Sequence, residues 1–298
     1  MSAESETREE RTVQKRQLQM VIALSAGILL LEVAGGLLSG SLALLSDAGH
    51  VLTDVLALVL SLMAVRFSSL PATPAKTYGY HRIEILTALV NGALLIGISI
   101  GIVYKAVGRF VDPVPIHSGV MMGVACAGLL ANLAGVALLS GAPQSLNLRC
   151  ARMHVVSDAL SSVGVLLAGL VIALTGWHRL DPLVGGGIAL VIAAGALRLV
   201  REAVDVLLEA TPADIDLDDV SRAIATVPGV VEVHDLHVWS ITTGLAALSG
   251  HVRLDGAGRD TSDEMLNRIK QTVRDRFGIV HTTIQIESLG YNELGDVH

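Results

Sequence analysis

Aromatic residues make up only 3% of this 298-residue chain, and charged residues only 16%. The two cysteines, Cys126 and Cys150, show no Cys-x-x-Cys spacing, so both read as free thiols rather than a metal or redox pair. No Gly-x-x-x-x-Gly-Lys run is present, which disfavours an ATP-driven pump. No His-Glu-x-x-His is present either, which removes the common helical zinc-hydrolase site. A basic excess is missing too. Residues 1–210 balance 14 acidic against 14 basic groups, while residues 211–298 hold 14 and 7, so the whole formal charge of -7 lies in the tail. An acidic tail argues against nucleic acid as a partner.

Apolar residues dominate instead, at 52%, with a mean hydropathy of +0.61. That balance belongs to membrane proteins. With aromatics scarce, helix contacts fall to small and aliphatic residues, and 30 glycines suit close helix approach in lipid. Six apolar runs reach the ~20 residues a spanning helix needs. They are roughly Leu18–Leu38, Leu42–Val65, Ile83–Val107, Ile116–Ser140, Leu146–Thr175 and Leu183–Leu208. Turn residues separate them, among them Ser39-Gly40-Ser41, Asp112-Pro113, Gly141-Ala142-Pro143 and Asp181-Pro182.

Six spans leave both ends on one side, and Lys and Arg decide which. With the N-terminus inside, inner segments carry 11 basic residues and outer segments only Lys105, Arg109 and Arg179. Both termini are therefore expected in the cytoplasm of a cell whose inner membrane the chain spans. Met1 to Gln19 is charged and polar without a cleavage pattern, so no secretory signal is expected there. The expected domains are a cytoplasmic tail at 1–16, a six-helix transmembrane domain at 17–210 and a soluble domain at 211–298. In the last, helices at Asp214–Thr226 and Asp260–Phe277 alternate with strands at Val230–Ile241, Leu245–Leu254 and Ile279–Ser288. This αββαβ order predicts a small α+β domain with both helices on one face of an open sheet.

Two His-x-x-x-Asp pairs lie inside the apolar runs: His50 with Asp54, and His154 with Asp158. A spacing of four puts both members of a pair on one helix face. Ionisable groups are costly in a bilayer, roughly 2.5–3.5 kcal/mol for a central Asp, so such residues read as functional. Two imidazoles and two carboxylates match the donor set of a tetrahedral divalent ion, zinc first. Gly49 to Leu56 and Met153 to Leu160 also align as a faint internal repeat, each in the middle helix of a three-helix half. The two halves then resemble an inverted repeat with its site at the interface. A bound cation favours deprotonated ligands, so metal and proton occupancies oppose each other. His154 lies close to Arg149 and Arg152, so either helix five reaches into the cytoplasm or an aqueous cavity reaches the site. Asp47 shares the face of His50; Glu32 is isolated on its helix. Arg82 is expected to pair with Glu209 at the inner helix ends.

The tail carries a second constellation: His234, His237, His251, His281 and Glu287 on or near the three strands. Adjacent strands lie about 4.8 Å apart. His281, Gln285 and Glu287 share one face of the third strand. Simple alternation puts His234 and His237 on opposite faces of the first, so at most one of them joins the cluster.

The runs Ser46-Asp47-Ala48-Gly49-His50-x-x-x-Asp54, Tyr78-Gly79-Tyr80-His81-Arg82-Ile83-Glu84, His154-x-x-x-Asp158, His234-Asp235-Leu236-His237-Val238-Trp239 and Thr283-Ile284-Gln285-Ile286-Glu287 closely resemble the cation diffusion facilitator family, in its zinc-type bacterial branch. The likeness extends from Leu18 to about Ser288. It implies a homodimer that exchanges cytoplasmic zinc for protons, with His50, Asp54, His154 and Asp158 as the transport site. It also implies a metallochaperone-like cytoplasmic domain that binds Zn2+ and aids dimerisation. There His234, His251 and Glu287 match metal positions, and His281 and His237 are further candidates. Gln285 stands where some members have His. The expected function is export of divalent metal, zinc with cadmium or cobalt as alternatives, in exchange for protons across a lipid bilayer. The competing readings are a passive metal channel, a metal sensor and, least, an intramembrane metalloenzyme, which needs an open ligand position that four ligands close.

Overall fold

Each apolar run becomes one helix in the computed structural model, which describes residues 22–68, 70, 72–140, 146–242, 244–255 and 262–291. Side chains at 54, 57–68, 138–140 and 146–154 fall outside the described set, as do the N-terminal tail and His298. The helices are α1 (Ile22–Ser39), α2 (Leu42–Ser68), α3 (Arg82–Val111), α4 (Ser118–Ser140), α5 (Leu146–Thr175) and α6 (Leu180–Leu207). Among the described residues, all but α2 meet the length and apolarity of a membrane span. α2 has 27 residues, roughly 40 Å at the helical rise, and its described apolar stretch is Leu42–Thr53.

Many large apolar side chains point outward: Leu30 is 73% exposed, Val191 75% and Tyr104 81%. Small ones pack inside, with Ala43, Ala125, Ala168 and Ala189 all buried. Exposure of so many large apolar groups is unlike a soluble surface. It is what lipid as solvent requires, because burial of large apolar groups offers no gain over lipid contact.

The chain divides into two compact units, residues 1–62 with 90–200, and residues 63–89 with 201–298. In the first, α4 packs along α5. Ile116, Met121, Ala125, Val165, Ala168 and Ile172 join Ala43 and Leu44 in its core. The N-terminus of α2 is held from α6. Asp181, fully buried, accepts from Ser41 Oγ at 2.5 Å, Leu42 N at 2.7 Å and Ala43 N at 3.1 Å. These amides are orphan donors of a helix start, which in an apolar bundle have no water to turn to. One turn on, Gly185 lets α6 approach, since a Cβ there would stand 2.9 Å from Ala43 N.

In the second unit, α7 (Leu217–Ala225), β1 (Val230–Thr242), β2 (Leu245–Leu254), α8 (Ser262–Phe277) and β3 (His281–Ser288) form the expected αββαβ domain. Asp216 caps α7 by accepting from Asp218 N and Asp219 N at 2.8 and 3.2 Å. The sheet order is β1-β2-β3, with β1 antiparallel and β3 parallel to the central β2. Val220 and Ile224 of α7, Ile269 and Val273 of α8, and Val238, Leu248 and Val252 of the sheet share one core. Both helices therefore cover one face, and the other face carries the polar residues.

The N-terminal end of α3 belongs to this unit. Arg82 pairs with Glu209 at 2.9 Å, as expected from their shared depth. Thr242 Oγ1 donates to Glu84 Oε2 at 3.0 Å, tying the first turn of α3 to the end of β1.

The Asp181 staple yields a first prediction. Asp181→Ala leaves buried donors unpaired, at roughly 1–3 kcal/mol each. The purified variant in detergent is expected to melt well below the wild type, with Asp181→Asn between the two. A melting curve unchanged in Asp181→Ala would refute the staple.

Candidate metal centres

The membrane centre is built where α2 meets α5. His50 Nε2 lies 3.5 Å from Asp158 Oδ1. His50 is part-buried and Asp158 is 6% exposed. Asp54 follows His50 by one turn of α2, and His154 precedes Asp158 by one turn of α5, so each pair occupies one helix face. The side chains of Asp54 and His154 lie outside the described residues. α5 begins at Leu146, about two turns ahead of His154, so the helix runs past its apolar segment Val155–Thr175, with His154 just ahead of that segment and Asp158 inside it. A cavity of about 700 Å³ opens beside His50, lined by Thr53, Leu95, Ser157, Ser161 and residues of α6.

A second layer backs these residues. Asp47, one turn before His50, is 2% exposed and accepts from Ser161 Oγ of α5 at 2.5 Å. Glu32 of α1 is 1% exposed and has Asp47 and Asp158 as charged neighbours. A Cβ at Gly128 of α4 would come within 3.3 Å of Glu32 Oε1 and 3.6 Å of Ser162 Oγ, so a glycine there leaves room for both. Glu32 looks isolated in the sequence because its neighbours come from other helices. Three carboxylates sharing one low-dielectric nest cannot all be ionised without a cation or proton among them.

The tail centre lies on the open face of the sheet. His234 stands directly opposite His251 on β1 and β2, and Gln285 opposite His251 on β3. His251 Nδ1 is 3.1 Å from Glu287 Oε1, and His234 Nε2 is 3.3 Å from Glu287 Oε2. The rings of His234 and His251 meet edge to face at 5.4 Å. Ligand atoms of His234, His251 and Glu287 all lie within 4.8 Å of one another. The two nitrogens approach different oxygens of Glu287, and the group offers two imidazoles and one carboxylate as donors that could hold a metal ion. Gln285 Nε2 donates to Glu287 Oε1 at 2.9 Å, and Arg253 Nη2 lies 3.6 Å from Glu287 Oε2, so the nearly buried Glu287 is held from two further sides.

Two sequence-based placements change. Register places His234 opposite His251 and His237 opposite Ser249, three residues on β1 against two on β2. That mismatch is a β-bulge, which resets the alternation. His237 therefore shares the face of His234, contrary to the reading from simple alternation, and contacts Asp235 at 2.9 Å. His281 pairs with Ala247 at the far end of β3, six residues from Glu287, and its ring meets Tyr78 at 6.4 Å. The structure does not bring it to the His234, His251 and Glu287 group.

Comparison with known proteins agrees over nearly the whole chain. Residues 18–208 match the cation efflux transmembrane domain, and residues 212–289 match the cytoplasmic domain of cation efflux proteins. The metal cation efflux system protein CzcD of Cupriavidus metallidurans is 42% identical over 274 residues, 92% of this chain and 86% of that protein. A cadmium, cobalt and zinc/H(+)-K(+) antiporter of Bacillus subtilis is 39% identical over 282 residues, 93% of this chain and 90% of that protein. The zinc transporter ZitB of Escherichia coli is 40% identical over 275 residues, 91% of this chain and 87% of that protein. Among solved structures, a metal-bound C-terminal domain of CzcD is 44% identical and covers 24% of this chain and 99% of that one, with a TM-score of 0.23. With both domain matches in order and relatives of this identity along its length, the chain belongs to the cation efflux family: a multi-pass membrane metal transporter, not an enzyme.

Proposed function

We propose that this transporter exports divalent metal, zinc foremost, from the cytoplasm in exchange for protons. The observation that carries this is the meeting of His50 and Asp158 across α2 and α5 beside a cavity within the bundle. With Asp54 and His154 one helical turn away, the site offers two nitrogens and two carboxylates to one ion. Metal binds the deprotonated set, and protons entering from the opposite side release it. The buried Asp47 and Glu32 lie beside this pair. The names of the CzcD, ZitB and Bacillus relatives, which speak of metal efflux, zinc transport and H(+)-linked antiport, support the same reading.

The orientation follows from the basic residues: both termini face the cytoplasm of the inner membrane. The match of residues 212–289 to a family domain described as the cytoplasmic one supports it. The protein works as a homodimer. His234, His251 and Glu287 hold zinc in the cytoplasmic domain, apart from the transport site.

Three outcomes test this. In proteoliposomes, a pH gradient alone should drive zinc flux, and zinc entry should acidify the compartment that supplied the zinc. Flux indifferent to pH between about 5.5 and 8, the range over which imidazole titrates, would leave the passive channel.

Asp158→Ala and Asp54→Ala should each abolish transport in protein that still inserts, because three ligands underbond the ion. His50→Asp exchanges borderline-soft nitrogen for hard oxygen and should lower the ratio of zinc to manganese transport. Wild-type flux in either alanine variant, or an unmoved ratio in His50→Asp, counts against the assignment.

Zinc should raise the melting temperature by linkage. Imidazole and carboxylate bind metal only when deprotonated, and free imidazole titrates near about 6.5. The rise should therefore be full above that pH and fade below it. His251→Ala should remove the tail's share of the rise and leave transport measurable. A rise identical in wild type and His251→Ala would show that the tail histidines hold no metal.

A further inference from the structure

Asp235 adopts a backbone conformation that few residues other than glycine take, with φ of +47°. It lies inside the bulge between His234 and His237. In a regular strand the residue after His234 would point to the helix-covered face. The bulge instead keeps the Asp235 carboxylate on the open face with both histidines. Leu236 takes the next place and packs over Gly250, where a Cβ would come within 2.8 Å of Leu236 Cδ1.

That carboxylate stands between two rings. Its Oδ1 is 2.9 Å from His237 Nε2, and its Oδ2 is 3.8 Å from His251 Nε2. The other nitrogen of His251, Nδ1, is the one that faces Glu287 at 3.1 Å. A neutral imidazole carries one proton, on one nitrogen. When Nδ1 ligates metal, the proton must sit on Nε2, and the Asp235 carboxylate lies on that side, 3.8 Å away. Metal-bound histidines commonly hand their second N–H to such a carboxylate, which fixes both tautomer and ring orientation.

We propose that Asp235, presented by the β1 bulge, is a positioning residue that holds His251 with Nε2 protonated and Nδ1 turned to the metal. This rests on the reading that His234, His251 and Glu287 hold zinc. His237 steadies the carboxylate from its other oxygen. The bulge is therefore part of the metal centre, although none of its residues is a ligand.

The test is zinc titration calorimetry on the full chain in detergent. The binding phase that His251→Ala removes belongs to the tail centre. Asp235→Gly deletes the carboxylate and suits the positive φ better than Asp does. It should weaken the tail phase 10–100-fold, leave the other phases unchanged, and leave the metal-free melting temperature equal or higher. Asp235→Asn keeps an acceptor oxygen and tolerates the same backbone, so it should recover part of the affinity. A tail phase in Asp235→Gly equal to wild type overturns the positioning role and leaves the site standing. A weakened phase together with a lowered metal-free melting temperature makes the effect structural and also overturns it. If His251→Ala removes no phase at all, the site reading itself fails, and the role of Asp235 with it.

Discussion

A carboxylate in a low-dielectric bundle must find a cation, a proton or a hydrogen-bond donor, and the membrane half of this protein is arranged around that demand. Asp181 finds the amides of the α2 start and the hydroxyl of Ser41. Asp47 finds Ser161, and Asp158 finds His50. Each of these contacts joins α2 to α5 or α6. The polar groups thus set which helices pair in a bundle whose apolar surfaces have no preference between lipid and one another. Glu32 completes the nest from α1.

The two proposed metal centres use the same kinds of donor on different frames. The membrane centre brings together helices about a hundred positions apart and opens onto a cavity. Its proposed ligands come in helical pairs, one on α2 and one on α5. The tail centre is laid across three hydrogen-bonded strands whose register fixes His234, His251 and Gln285 in one row. Such a frame holds its geometry and suits an ion that stays.

The second unit links this frame to a membrane helix. Arg82 to Glu209 and Glu84 to Thr242 tie the start of α3 to the end of α6 and to β1. Tyr78 meets His281 on the strand that also carries Glu287. The exposed Arg82 pair is worth little by itself. The half-buried Glu84 contact and the ring contact make the link more than a surface ion pair.

Much of this was legible in the residues. Length and apolarity of the runs determine the helices, because backbone groups in lipid must be satisfied within the segment. The αββαβ order follows from period and turn chemistry. The spacing of four in His50-x-x-x-Asp54 and His154-x-x-x-Asp158 determines that each pair shares a face, because that is a local property of the helix. The Arg82 to Glu209 pair followed from depth alone. What tertiary structure alone decided is what lies between elements. The company of Glu32 depends on α2 and α5, which no pattern within α1 encodes. The shared face of His234 and His237 depends on a bulge, and a single extra residue reverses every alternation beyond it. His281 and Glu287 share a strand face in the sequence, but a strand advances about 3.3 Å per residue. Face alone therefore does not bring two side chains together; position along the strand does, and the pairing of β3 with β2 sets that position.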